Sequence, residues 1–151
     1  MKTIALVLLM STLFTGCASV KMQSTEASDK AKQFAEPAAG NSGLYIFRDQ
    51  GFGMALKRDI WVNGKCVGAS AYHVFFYTEV TGGREHELST ESEFSPNKIS
   101  LMVEAGKNYF IRQYLRFGVF RRGANLEAVP EDQGKAIVAT LDLATSGTCS
   151  Q

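Results

Sequence analysis

Histidine, tryptophan and cysteine are scarce in this chain of 151 residues, which has two, one and three of them. Two histidines leave little for a metal site or a general base. No Gly-x-Ser-x-Gly elbow, Cys–His signature or Gly-Lys-Ser/Thr phosphate loop accompanies them. An excess of one charge is missing too: 16 Lys and Arg stand against 15 Asp and Glu. That balance offers no basic face, and so no nucleic-acid partner. Apolar runs are short, and none approaches the ~20 residues that a membrane-spanning helix needs. The sequence implies no cofactor and no enzymatic activity.

What is present begins at the N-terminus. Lys2 supplies a positive start, Ile4 to Met10 an apolar stretch, and Thr15-Gly16 small residues before Cys17. This is the order of a secretory signal. Leu13-Phe14-Thr15-Gly16-Cys17 resembles the lipobox of bacterial lipoproteins, with Phe14 where that family prefers Leu. The resemblance implies a signal peptide over residues 1–16, cleavage before Cys17 and lipidation of its sulfur. Two or three acyl chains anchor firmly where one does not. Ala18, in place of Asp, implies the outer membrane. Loss of residues 1–16 removes Lys2 alone among the charges, which leaves 15 cations against 15 acids.

An exported chain meets an oxidising compartment, where disulfides persist. With Cys17 committed to lipid, Cys66 and Cys149 remain. They are candidates for a bridge. The alternative is a Cys66 packed as a small hydrophobe and a loose Cys149.

Residues 17–42 are rich in Ser, Ala, Lys, Gln and Glu and read as a flexible tether after the lipidated cysteine. A β-rich domain is expected over 43–143. Its strands are expected near 44–48, 58–62, 65–70, 73–81, 84–91, 99–104 and 108–116, with 125–129 as a further candidate. Asn63-Gly64 is a strong two-residue hairpin signal. It sets Val62 opposite Lys65 and Trp61 opposite Cys66. The same logic at Gly82-Gly83 sets Thr81 opposite Arg84, Glu79 opposite His86 and Tyr77 opposite Leu88. Pro130-Glu131-Asp132 reads as a helix start, although Ile137, Ala139, Leu141 and Leu143 also alternate as a strand. Residues 144–151 read as a polar tail. The expected class is mainly β: an antiparallel sandwich or meander of about seven strands, with one C-terminal helix.

Gly43-Leu44-Tyr45-Ile46-Phe47-Arg48, Val62-Asn63-Gly64-Lys65-x-Val67-Gly68, Phe76-x-x-Glu79-Val80-x-Gly82 and Gly106-Lys107-x-Tyr109-Phe110-Ile111-Arg112 occur in that order. Together they resemble a family of small bacterial envelope lipoproteins defined only as a domain of unknown function. The hairpins also resemble PEGA-type surface β-domains. The resemblance implies no activity and no catalytic residues.

Glu79, Glu85, His86 and Glu87 gather around Gly82-Gly83, but alternation turns Glu85 and Glu87 away from His86. A solvated Glu79–His86 pair explains them better than a metal does. Arg116, Arg121 and Arg122, in a glycine-flanked segment, and Trp61 form the candidate contact patch. Arginines there could grip a carboxylate or a phosphorylated glycan. The leading expectation is a lipid-anchored envelope protein that displays a small β-domain for protein or glycan contact. The alternative is an envelope hydrolase or an inhibitor of an envelope enzyme.

Overall fold

Leu44, Tyr45, Ile46 and Phe47 are all buried, so one strand must be covered on both faces. The computed structural model describes residues 19–120 and 122–150, and the signal segment, Cys17 and Arg121 lie outside them. The elements follow in the order α1 (Thr25–Ala31), β1 (Asn41–Arg48), β2 (Arg58–Val62), β3 (Lys65–Ser70), β4 (Val74–Thr81), β5 (Arg84–Thr90), β6 (Asn97–Val103), β7 (Asn108–Arg116), β8 (Gly123–Val129), α2 (Glu131–Val138) and β9 (Asp142–Leu143).

The strands form two sheets, one of five strands in the order β8-β7-β1-β4-β9 and one of four in the order β3-β2-β5-β6. Alternation along β1 divides the core. Leu44 and Ile46 face Ile60, Val62, Val67 and Leu88 of the second sheet. Tyr45 and Phe47 face the other way, onto Phe75, Phe110, Val138 and Leu141. The fold is therefore mainly β, two sheets with a C-terminal helix on the outer face of one. Nine strands are described rather than about seven. The larger sheet is also mixed, because β1 runs parallel to β7 and β4 parallel to β9.

The Asn63-Gly64 turn has φ of 50° and 75°, and Val62 pairs with Lys65 and Trp61 with Cys66. A bulge follows, since Ile60 then pairs with Gly68. The second expected hairpin does not exist. β4 pairs with β1 and β9, and β5 with β2 and β6, so Gly82-Gly83 turns a corner between the sheets. The N–H of Gly82 donates to Gly40 O (2.8 Å) and that of Gly83 to Val103 O (2.7 Å). A Cβ on Gly82 would collide with the backbone of Ala105. The apolar run Val74-Phe75-Phe76 drives this outcome, because a strand buried on both faces belongs inside a sheet, not at a ribbon's edge.

Two further expectations are corrected. Residues 20–42 do not run free of the domain. Ser24 caps α1 by accepting the N–H of Ala27, and the Oγ of buried Ser28 accepts the N–H of Leu143 (3.2 Å). Tyr45 OH donates to Ala31 O (2.9 Å), and the Phe34 ring packs on Tyr45 and Phe110. Residues 144–150 are no loose tail either. Ala144 N–H donates to Phe75 O of one sheet, Gly147 N–H to Val67 O of the other, and Ser150 N–H to Asp59 Oδ2 (2.6 Å). A disulfide joins Cys66 to Cys149 across 83 residues, with Cα atoms 6.0 Å apart. The C-terminal segment thus laces the two sheets together beside β3.

Candidate functional site

The loops after β1, β5 and β7 meet at one end of the sandwich, and backbone groups there are held by side chains. Arg48, fully buried, donates from Nη1 to Leu56 O and from Nη2 to Gly53 O, both at 2.7 Å. Its Nε has no hydrogen-bond partner. Burial, and then the charge of Arg58, push the guanidinium down to about 10. A buried cation bonded only to carbonyls is costly; here it fixes the turn that carries Phe52. Gln50 Oε1 accepts the N–H of Leu115 (3.1 Å), and Glu91 accepts the N–H of Asp59 (2.8 Å). Glu93 accepts the N–H groups of Val119 (2.7 Å) and Phe120. Arg58 donates to Arg122 O (2.6 Å). Asp49 holds Arg112 through two bonds of 2.7 and 2.5 Å.

On these pinned loops sit the most exposed large apolar side chains of the described residues. Phe94 is 78% exposed, Phe117 82%, Val119 79% and Phe120 85%. Phe94 meets Phe120 edge-on at 6.4 Å, and Phe52 meets Phe117 at 4.8 Å. The Arg122 guanidinium lies over Phe52 at 4.4 Å, a cation–π contact. Arg58, Arg116 and Arg122 take part in no ion pair among the described residues. The end is therefore apolar at its crest, with arginines around it and the Glu91 and Glu93 carboxylates among them. Trp61 lies beside it, half-exposed, in a small hollow of about 200 Å³ with Arg58 and Phe94.

Of the expected patch, Trp61, Arg116 and Arg122 reach this end, and Arg121 lies outside the described residues. The phenylalanines are the part that arginine-centred reading missed. Their signal was Phe117, Val119 and Phe120 in a stretch between Arg116 and Gly123 that has no strand partner of its own.

A second, larger hollow of about 730 Å³ opens at the opposite end, between the lower part of β4 and the β2–β3 hairpin. His86 lies there, and it does not face Glu79. Asn63 Oδ1 accepts the N–H of Glu87, so its Nδ2 donates to His86 Nδ1 (2.7 Å). His86 Nε2–H then donates to Thr81 O (2.8 Å). Both ring nitrogens are spent on tying the hairpin to β4. Glu79 accepts from Asn41 Nδ2 (2.9 Å), Tyr77 OH (2.9 Å) and the N–H of Ala38. The Asn41 bond chiefly holds its carboxyl below the usual range. Burial raises Tyr45 to about 12, and burial with the Glu79 bond raises Tyr77 further. Among the described residues no three His, Cys, Asp or Glu side chains gather as metal ligands.

A family profile described as a protein of unknown function, DUF2846, matches residues 38–124. The chain belongs to the DUF2846 family. It is also 53% identical over 134 residues to an uncharacterised protein of Haemophilus influenzae, which covers 89% of this chain and 79% of that relative. No solved structure matches. The DUF2846 match spans β1 to β7 and all three pinned loops, but neither helix nor Cys149. No helix among the described residues is long and apolar enough to cross a membrane. What this DUF2846 domain can do chemically at its pinned end is present apolar rings and cationic groups to another surface.

Proposed function

We propose that this DUF2846 protein is a lipoprotein of the bacterial cell envelope, anchored by lipid on Cys17 in the outer membrane. Its β-domain makes protein or glycan contact, without catalysis, through the phenylalanine–arginine end. The observation that carries this reading is the exposure of Phe94, Phe117, Val119 and Phe120 on loops that side chains hold in place. Burying each such side chain is worth roughly 1.5–3 kcal/mol, so four leave a large driving force unused in the isolated domain. Side chains without polar atoms favour the apolar pockets of a protein over a hydroxyl-rich glycan.

The path of the chain supports the same reading. Val20 packs against the inter-sheet core, so only Ala18 and Ser19 separate Cys17 from the packed chain. Lys21 and Gln23 bond to Thr145 and Leu143, antiparallel to β9. β9 runs with β4, away from the pinned loops. The chain therefore travels toward those loops as it joins the fold, and a lipid on Cys17 leaves them facing away from the anchoring membrane.

Acyl labelling tests the anchor, and capture from solubilised envelope tests the contact. Wild type should take up labelled fatty acid and retain a discrete partner. Cys17→Ser should lose the label, and Phe117→Ser with Phe120→Ser should lose the partner but keep the label. Labelling of Cys17→Ser, or unchanged capture by the double variant, would contradict the proposal.

A further inference from the structure

β4 is paired with β1 along its whole length, from Val74 to Thr81. Its other edge is paired with β9 only at Val74 and Phe75. On that second edge His73 O accepts the N–H of Asp142 (3.3 Å), Phe75 O that of Ala144 (2.9 Å), and Thr81 O that of His86 Nε2 (2.8 Å). Backbone groups two residues apart in a strand point the same way. The N–H and C=O of Tyr77 and Glu79 therefore face this edge as well. Among the described residues no backbone group pairs with them there.

A hollow lies on each face of this bare edge. On the inner face is the opening of about 730 Å³, with Val62, Val67 and Val80 in its wall and Lys65 and Arg84 exposed at its mouth. On the outer face, under α1, is one of about 350 Å³ walled by Ala27, Ala31, Tyr45, Tyr77 and Leu143. An unpaired edge is a template for another strand. A strand placed there would send alternate side chains into the two hollows.

The geometry points to the Tyr77–Thr81 edge as a docking site for an extended segment of a partner polypeptide, added to the sheet beside β4. Only a polypeptide supplies donors and acceptors at the spacing that Tyr77 and Glu79 present. The edge from Tyr77 to Thr81 spans about 14 Å, room for roughly five residues. The outer hollow asks for apolar side chains. Lys65 and Arg84, in no ion pair among the described residues, ask for acidic ones between them. This site does not depend on the pinned loops or on lipid at Cys17.

Amide hydrogen exchange on the full chain tests it, with a capped synthetic heptapeptide of alternating valine and glutamate as the probe. Without peptide, the Tyr77 and Glu79 amides should exchange at least about tenfold faster than those of Thr78 and Val80, which face β1. Saturating peptide should slow Tyr77 and Glu79 selectively. Lys65→Glu with Arg84→Glu, both exposed positions, should weaken the peptide about tenfold or more while leaving the melting temperature unchanged. A peptide methylated on alternate backbone nitrogens should not bind. Slow exchange at Tyr77 and Glu79 before peptide is added would overturn the inference, because the chain itself or a second copy would already cover the edge. So would the absence of protection at millimolar peptide, or equal protection by the methylated one.

Discussion

Glu93 and Phe120 are joined across two loops: the Glu93 carboxylate accepts the backbone N–H of Phe120, and that of Val119 beside it. The carboxylate thereby ties one loop to the other. It also holds an 85%-exposed phenylalanine where chain entropy would otherwise scatter it. Glu93→Ala should cost about 1–2 kcal/mol in urea unfolding, the range for charge-assisted bonds partly exposed to water. Exchange at the Val119 and Phe120 amides should accelerate selectively. An unchanged exchange pattern would show that another group orders this loop.

The Cys66–Cys149 bridge should contribute more. It joins residues 83 apart in sequence and fastens the segment that laces the two sheets. Loop-closure entropy suggests roughly 3–5 kcal/mol. In a Cys17→Ser background, the denatured, unreduced protein should show no free thiol. Cys149→Ser should lower the unfolding midpoint and speed exchange at the Ala69 and Gly147 amides, which bond β3 to the C-terminal segment. Two titratable thiols would reject the bridge.

Gly134 sits inside α2, where Ala is better than Gly by about 1 kcal/mol on propensity alone. The sign should nevertheless reverse. A Cβ at Gly134 would overlap the Phe110 ring, on which the helix rests. Gly134→Ala should destabilise by about 1–3 kcal/mol, the cost of overpacking a filled core. A gain in stability would mean that α2 can lift from β7 at no cost.

Most of the strand content was legible. Runs such as Leu44–Arg48 and Val74–Thr81 are β-rich and bounded by turn residues, and Asn63-Gly64 fixes its own geometry. Which strands are neighbours was not legible. A two-glycine loop looks the same whether it closes a hairpin or crosses between sheets, and only the burial of β4 on both faces decides. α1 escaped because it has seven residues and docks through Ser28 and the neighbouring Phe34, too few apolar groups to register as a periodic face. The arginines of the pinned end were visible as charges beside glycines. The exposed phenylalanines were not, since aromatic residues in a β-rich chain are ordinarily core.

Glu79 gives the domain a pH signature. Its folded carboxyl is held low, chiefly by Asn41 and also by Tyr77 and Ala38. The stability it adds is present above the ordinary value of 4.5 and is lost as pH falls through the lower, folded value. The group is largely exposed, so the effect is small and screened. Glu79→Gln should flatten this part of the acid limb of the stability curve. An identical acid limb in the variant would show that Asn41 and Ala38 do not discriminate between carboxylate and amide.

The most direct measurement is photo-crosslinking in living cells, with benzophenone at Phe120 and, separately, at Met102, which is 61% exposed on β6. Wild-type sequence otherwise, growth and membrane fractionation stay the same in both strains. A discrete adduct from position 120 and none from 102 is the predicted result. No adduct from 120, or the same adducts from both positions, would contradict a contact made by the pinned phenylalanine end.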